Sequence, residues 1–190
     1  AIKLPSDINF IGKAVFYSCS KLNSVDLPEH LTTIKPNMFR DCYDLTEITL
    51  PPNLNKIGQK AFKDCTSLSK VSFPSSISAI DASAFNGCSA LEEVHFESPS
   101  VISYIHDHAF NNCSNLTRMD LPAHLFWIGY GAFSNCTKLK EVNFQRPSRL
   151  AFIRQWAFSS CRSLKSIFIP KDVQTIEDNT FYLCTKLQNI

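Results

Sequence analysis

The residue types in this chain that most readily bind metals or act as nucleophiles are its eight cysteines and five histidines. A zinc site needs such ligands to converge and is usually signalled by a Cys-x-x-Cys pair, which this sequence lacks. The Gly-x-Ser-x-Gly and His-Glu-x-x-His motifs of hydrolases and metalloproteases do not occur either. The role of these residues therefore has to be read from their spacing.

The cysteines recur at intervals of 23 or 25 residues, at Cys19, Cys42, Cys65, Cys88, Cys113, Cys136, Cys161 and Cys184. A phenylalanine stands three residues before each of them, at Phe16, Phe39, Phe62, Phe85, Phe110, Phe133, Phe158 and Phe181. A leucine follows three residues after each cysteine, and an isoleucine stands eight residues before it. A fixed period shared by several positions indicates a repeat protein.

Each repeat predicts two structural elements. From Leu45 to Pro51 the sequence reads Leu-x-x-Ile-x-Leu-Pro, and this alternation of period two favours a short strand that the proline ends. From the isoleucine onward, the apolar positions Ile57, Ala61, Phe62 and Cys65 have helical spacing. This spacing predicts a short helical or 3-10 segment, and therefore an α/β repeat solenoid.

The repeat separates the histidines that lie close together in the sequence. It places His95 on a strand, His106 and His108 beside the predicted helical segment, and His124 in a turn. Side chains at such different positions of the repeat do not converge on one ion. We therefore expect a protein that is not an enzyme and has no metal and no cofactor.

The unit from Leu45 to Cys65, Leu-x-x-Val-x-Leu-Pro-x-x-Leu-x-x-Ile-Gly-x-x-Ala-Phe-x-x-Cys in its general form, resembles the BspA-like class of leucine-rich repeats. The resemblance covers the whole chain. It implies a right-handed solenoid with a parallel β-sheet on the concave face and short helical or 3-10 segments opposite. Proteins of that class are bacterial and protozoan surface proteins, several of which are adhesins for host matrix or plasma proteins.

The resemblance favours a cell-surface or secreted adhesin-type module that contacts a host matrix or plasma protein. The alternative is a cytoplasmic scaffold or assembly component that uses the same solenoid for protein–protein interaction. The net charge of +2 argues against a nucleic-acid partner, and the sequence has no apolar stretch long enough to insert into a membrane.

Residues 1–190 are interpreted as a single solenoid of about eight repeats of 23–25 residues. Neither end of the sequence shows the polar terminal repeat that usually covers an exposed core. We therefore expect a fragment of a longer chain, or ends that a partner covers, with end-to-end self-association as one form of that contact.

Two sets of outward-facing residues are candidates for partner binding. The first is a varied polar set on the concave face: Asp26, Thr49, Ser72, His95, Asp120, Asn143 and Phe168. The second consists of aromatic residues that precede the core isoleucine in successive repeats: Tyr104, Trp127 and Phe152. Aromatic rings at this spacing either pack between coils or form an exposed recognition stripe, and the sequence leaves both readings open.

Charge and length vary along the repeats. A neighbouring concave set alternates in sign through Lys70, Glu93, Arg118 and Glu141, which favours ion pairs between adjacent strands. Residues 138–171 contain eight basic and one acidic side chain. Two repeats carry two extra residues after the strand, within 96–101 and 144–149, and these insertions are either tolerated surface loops or candidate contact loops.

The recurring cysteines are interpreted as small buried apolar residues that stack along the solenoid. Stacked neighbours at the spacing of adjacent strands could in principle form disulfides, but equivalent surroundings favour no particular pair. The repeat therefore predicts eight free thiols, and it leaves the redox compartment open.

Overall fold

The computed structural model describes residues 2–190, which form a solenoid with one coil per repeat. Within these residues the strands, in chain order, are β1 (Ile2–Lys3), β2 (Val25–Asp26), β3 (Thr33–Ile34), β4 (Lys56–Ile57), β5 (Lys70–Phe73), β6 (Ala79–Ile80), β7 (Glu93–Phe96), β8 (Tyr104–Ile105), β9 (Arg118–Leu121), β10 (Trp127–Ile128), β11 (Glu141–Phe144), β12 (Phe152–Ile153) and β13 (Thr175–Ile176). All the pairs that they form are parallel.

The strands lie on two sides of the coil. Strands at the predicted Leu-x-x-Val-x-Leu segment pair as β1–β2, β5–β7 and β9–β11, so the predicted strand forms in these repeats. It does not form in residues 45–50, and residues 164–169 contain only the isolated bridge of Ser166 to Asn189. A second, seven-stranded sheet has the order β13-β12-β10-β8-β6-β4-β3, and each of its strands ends on the core isoleucine of its repeat. The apolar spacing that begins at this isoleucine predicts a helical segment, so the sequence does not predict this second sheet.

The prediction of helical or 3-10 segments, and with it the α/β fold class, is wrong. Residues 2–190 contain no helix, so the described chain is a β-solenoid. The segment around each core phenylalanine consists of consecutive turns, and two residues in it have positive φ. Beside Phe39 these are Asn37 and Asp41, with φ of 56° and 61°. Residues in this left-handed region interrupt a right-handed helix, which explains why none forms.

The hydrogen bonds of these turns show how the segment joins the coils. The N–H of Met38 donates to the carbonyl of Lys35 within its own turn, at 3.2 Å. The next N–H, that of Phe39, donates to the carbonyl of Ala61 in the following coil, at 2.8 Å. An α-helix would use both donors within the segment. Here alternate donors connect neighbouring coils, so the turns contribute to stacking as the sheets do.

The core phenylalanines form a continuous spine, as predicted. Neighbouring rings from Phe16 to Phe181 are stacked nearly parallel, with centroids 5.0 to 5.9 Å apart. The rings between Phe39 and Phe158 are fully buried. Offset stacking at this distance is favourable, and each interior ring gains it on both sides. The spine therefore depends on the presence of adjacent coils.

The cysteines are free thiols, as predicted, and all except Cys19 are buried. Their role is more specific than apolar filling. The thiol of Cys42 donates a hydrogen bond to the carbonyl of Phe16 in the preceding coil, and six further cysteines repeat this contact at S···O distances of 3.0 to 3.3 Å. Each buried thiol thus adds a donor to a carbonyl of the spine.

Within residues 2–190 there is no helix whose length and hydrophobicity would let it span a membrane.

Candidate functional site

The polar set predicted to face a partner lies on the side of the solenoid that carries β2, β5, β7, β9 and β11, which we call the strand side. Ser72 pairs in register with His95, and Asp120 pairs with Asn143. Of the whole set, Asp120 is half-buried and the others are exposed: Asp26, Thr49, Ser72, His95, Asn143 and Phe168. We call this set of residues the strand face. The ladder is interrupted, since β7 and β9 are adjacent but belong to different sheets.

One part of the strand face is occupied by internal contacts. The guanidinium of Arg118 donates to the carboxylate of Asp120 at 2.9 Å, and the amide of Asn143 donates to the same carboxylate at 2.8 Å. Burial opposes ionisation of Asp120, but these two hydrogen bonds together with the nearby charge of Arg118 outweigh it and hold the pKa of its carboxyl below the usual value. Asp120 and Asn143, although predicted as partner-binding residues, are therefore already engaged in internal hydrogen bonds.

The predicted ladder of alternating charges forms ion pairs. The ammonium of Lys70 lies 3.1 Å from the carboxylate of Glu93, and the guanidinium of Arg118 lies 3.1 Å from that of Glu141. All four side chains are well exposed, and such surface pairs stabilise a protein by less than about 1 kcal/mol each. Their main effect is to neutralise this part of the strand side.

The aromatic residues before the core isoleucine lie side by side, as the repeat predicts. Trp127 pairs in register with Tyr104 on one side and with Phe152 on the other. The rings of Tyr104 and Trp127 meet edge to face with centroids 5.7 Å apart, and Phe126 meets Phe152 in the same way at 5.5 Å. The guanidinium of Arg154 lies 5.4 Å from the centre of the Trp127 ring. We call Tyr104, Trp127 and Phe152 the aromatic stripe.

The aromatic stripe is packed and partly exposed at the same time. Tyr104 retains 41% of its accessible surface and the adjoining Phe126 retains 42%, whereas Trp127 and Phe152 are half-buried. The indole N–H of Trp127 is buried and has no hydrogen-bond partner in the described residues. An open cleft of about 540 Å³ adjoins the stripe, and its lining includes Tyr104, Phe126 and Arg149.

A second cleft lies at the end of the strand side, where the second insertion leaves β11. It has a volume of about 480 Å³ and its walls are mainly apolar. We call it the loop cleft and define it by Phe144, Arg146, Pro147, Phe168, Pro170 and Lys171. The guanidinium of Arg146 lies over the ring of Phe168, 4.5 Å from its centre. Of the strand-face residues predicted from the sequence, only Phe168 lines this cleft.

The sequence contained one signal for both clefts. The insertion within 144–149 supplies Arg146, Pro147 and Ser148 to the loop cleft, and Ser148 and Arg149 to the cleft beside the aromatic stripe. Asp172 lines both clefts. The two extra residues thus build the wall between two concave surfaces, a consequence that spacing alone does not reveal.

The histidines do not form a chemical site. His106 and His108 make edge-to-face ring contacts, with Trp127 at 5.7 Å and with Tyr130 at 5.1 Å respectively. In the part of the chain that the structure describes, no group of three or more His, Cys, Asp or Glu side chains is placed to hold a metal ion. The clefts and exposed aromatic rings are therefore the features suited to binding.

Comparison with known proteins agrees with the repeat. A model of the BspA type leucine-rich repeat region matches residues 1–116 and 103–190, in six copies. The chain is similar to a leucine-rich repeat protein of T. pallidum, with a TM-score of 0.70 and 26% identity, over 85% of this chain and 76% of that one. No curated protein sequence is significantly similar to it.

Two further solved structures share the solenoid. A leucine-rich repeat protein of Bacteroides ovatus aligns with a TM-score of 0.56 and 25% identity, over 99% of this chain and 71% of that one. The pneumococcal vaccine antigen PcpA aligns with a TM-score of 0.62 and 33% identity, over 72% of this chain and 34% of that one. With the family model matching along its full length, the chain belongs to the BspA-type leucine-rich repeat family.

Proposed function

We propose that this chain is a non-enzymatic protein-binding module of adhesin type, displayed at a cell surface or secreted, that contacts a host matrix or plasma protein. The observation that carries the proposal is the aromatic stripe, in which Tyr104 lines an open cleft of about 540 Å³ and packs edge to face on Trp127. Tyrosine and tryptophan are enriched among the residues that dominate binding energy at protein interfaces.

The geometry of the stripe favours recognition over simple packing. Edge-to-face contact holds the Tyr104 and Trp127 rings in place, so little side-chain entropy is lost when a partner covers them. Tyr104 and Phe126 keep about two-fifths of their surface exposed. The strand face lies on the other side of the coil, where the exposed residues Asp26, Thr49 and Ser72 offer a separate polar surface for hydrogen bonds to a partner.

The family supports an extracellular place for this function. The BspA-like class includes bacterial and protozoan surface proteins, and one structure similar to this chain is a pneumococcal vaccine antigen. Solenoids of this kind present extended surfaces to protein partners, since each coil adds another row of side chains. The choice of a matrix or plasma protein as the partner rests on this family relationship.

The test measures binding of the purified chain to immobilised fibronectin, laminin, collagen and fibrinogen by biolayer interferometry. We expect Trp127→Ala to weaken binding to the recognised protein at least about tenfold, because loss of a central aromatic anchor typically has this effect. The matched control is Tyr43→Ala, which removes a tyrosine that is 46% exposed and lies in a different coil.

Thermal unfolding separates the two roles of the stripe. If Trp127→Ala lowers the melting temperature but leaves binding unchanged, the stripe only packs and the proposal for it is wrong. If none of the four proteins binds the intact chain, the assignment of a matrix or plasma partner is wrong.

A further inference from the structure

The loop cleft combines an apolar interior with unpaired positive charge. Phe168 retains 61% of its accessible surface although it is a large apolar side chain. Phe144 is half-buried beside it, and Pro147 and Pro170 complete the apolar walls. A volume of about 480 Å³ lies in the usual range of ligand-binding pockets, and it can hold a few side chains of a partner.

The cleft forms where regular stacking of the strand side stops. Strand β11 pairs with β9 on one side, but within residues 2–190 no strand pairs with it on the other. The next coil pairs only with the coil that follows it, since Ser166 bridges to Asn189. A second hollow of about 230 Å³, between Asn143 and Ser166, continues the loop cleft along this boundary. The two together make a groove that suits an extended chain.

The loop cleft is lined by two bases and one acid, and the acid that lines the second hollow, Glu141, is paired with a base outside the groove. Arg146 and Lys171 line the loop cleft, and neither forms a salt bridge with another described residue. Glu141, the single acid within residues 138–171, is already paired with Arg118. Asp172 is the one acidic side chain in the lining of the cleft. The excess of positive charge over this surface favours an acidic partner.

We propose that the loop cleft binds an extended acidic peptide segment of a partner protein through one apolar anchor side chain inserted against Phe168. The proposal rests on the protein-binding function proposed above and specifies the chemistry of the partner. Carboxylates beside the anchor pair with Arg146 and Lys171, and the anchor fills the space between Phe144, Pro147 and Phe168. A sulfated glycan offers the negative charge without the apolar group, so it would leave the walls of the cleft unused.

The arrangement of Arg146 supports both halves of this recognition. Its guanidinium covers one part of the Phe168 ring at 4.5 Å, which orders the side chain before a partner binds. A guanidinium can stack on a ring and still donate hydrogen bonds to a carboxylate in its own plane. The apolar anchor and the acidic group of the partner are therefore required side by side.

The test uses a short fluorescein-labelled peptide that carries glutamates on both sides of a tryptophan–proline pair, and fluorescence anisotropy with the full chain. We expect saturable binding that weakens with added salt. Replacing the glutamates by glutamines, or the tryptophan–proline pair by glycine–serine, should each weaken binding at least about tenfold. In the protein, Phe168→Ala and Arg146→Gln should each have an effect of the same size.

Two matched variants distinguish the cleft from general attraction. Arg162→Gln removes an exposed positive charge in the same coil as Phe168 but outside the cleft, and Tyr182→Ala removes an aromatic ring that is 49% exposed at another position. Both should change the affinity less than about twofold. If Arg162→Gln weakens binding as much as Arg146→Gln, attraction is diffuse and the proposed site is wrong.

Other outcomes also overturn the proposal. Binding of a heparin oligosaccharide in preference to the peptide would assign the surface to a glycan. If Phe168→Ala leaves the affinity for the peptide unchanged, the proposed insertion of an apolar anchor against Phe168 is wrong. If a matrix or plasma protein binds through the aromatic stripe while the peptide does not bind at all, this inference fails and the proposed function stands.

Discussion

Raising the pH above about 9 should destabilise the folded chain steeply, because its buried thiols cannot ionise where they lie. Burial is the largest cause that raises the pKa of six cysteines: Cys42, Cys65, Cys88, Cys113, Cys136 and Cys161. For Cys136, which is fully buried in the solenoid, the pKa rises from 9.0 to about 12. The thiols of the unfolded chain keep their ordinary pKa and ionise first.

The sign and the size of the effect follow from proton linkage. Below the unfolded pKa of 9.0 both states hold the proton of Cys136, and its full contribution to stability is present. As the pH rises from there toward the folded pKa of about 12, only the unfolded state loses the proton, so the free energy of unfolding falls. One pH unit above the unfolded pKa, each such thiol costs about 1.4 kcal/mol. Six of them would cost about 8 kcal/mol, comparable with the total stability of a typical domain.

The assay is equilibrium denaturation in urea, followed by circular dichroism between about pH 7 and about pH 10 with a reducing agent present. Cys136→Ala removes one buried thiol, so the drop in its unfolding free energy over this range should be smaller than that of the wild type by about 1.4 kcal/mol. Comparing the two proteins at each pH cancels the titration of the groups that Cys136 does not influence. Cys19→Ala removes an exposed thiol and is the matched control. It should retain the steep dependence, because the buried thiols remain.

One result would refute this reasoning. If Cys136→Ala loses stability with rising pH as steeply as the wild type, the buried thiol does not oppose ionisation in the folded chain. The stability of Cys136→Ala at neutral pH does not test this reasoning, since removal of the thiol also removes its hydrogen bond to the carbonyl of Phe110. Only the change with pH reports on the thiolate.

Two further predictions concern stacking. Phe110→Ala should lower the free energy of unfolding by about 3–5 kcal/mol in urea denaturation, because this fully buried ring lies between two others of the spine. The control Phe10→Ala changes a residue that is 74% exposed, and it should alter the free energy of unfolding by less than about 0.5 kcal/mol. Gly58→Ala should destabilise by about 1–3 kcal/mol, because the new Cβ would lie 2.7 Å from the backbone nitrogen of Pro36 in the adjacent coil. Gly12→Ala is its control, since the nearest atoms to that Cβ lie at 3.8 Å, and a loss as large at Gly12 would contradict the close approach at Gly58.

The sequence predicted the stacking of coils well because stacking depends on columns of equivalent residues. A phenylalanine at the same place in every repeat has to meet its counterparts when coils stack, and the spine from Phe16 to Phe181 follows. The contact between Tyr104 and Trp127 and the ion pair between Lys70 and Glu93 were predictable for the same reason.

The helical segment could not be told from consecutive turns by apolar spacing. Two successive turns bring Ile57, Phe62 and Cys65 to the inside just as two turns of helix would. The distinguishing signal lies two residues before and two residues after each phenylalanine, where φ is positive. Half of these positions hold residue types that tolerate the left-handed region: Asn37, Asp41, Asp64, Gly87, Asn112, Gly131, Asn135 and Asn179. The backbone preferences of the residues at these two positions would have excluded the helix.

The contacts of individual polar groups were beyond the sequence. Periodicity placed Asp120 and Asn143 on an exposed face, but it could not show that Arg118 reaches across to hold the carboxylate. Periodicity also marked the cysteines as buried without revealing that each thiol donates to a carbonyl one coil away. Such contacts depend on side-chain rotamers and distances, and no pattern of residue types records them.

In a solenoid of equal coils, charged side chains on the surface pair with those of the neighbouring coil, and this affects where a partner can bind. Where coils stack regularly, Lys70 neutralises Glu93 in the adjacent strand, and little of their charge is left for another molecule. Beside the insertion within 144–149 the strand pairing is interrupted, because no strand of the described chain pairs with the free side of β11. Phe168 and Arg146 are left there with each other as neighbours and with open space beside them. Recognition of charged groups by this solenoid is therefore expected at the loop cleft, since its basic side chains have no ion-pair partner there among the described residues.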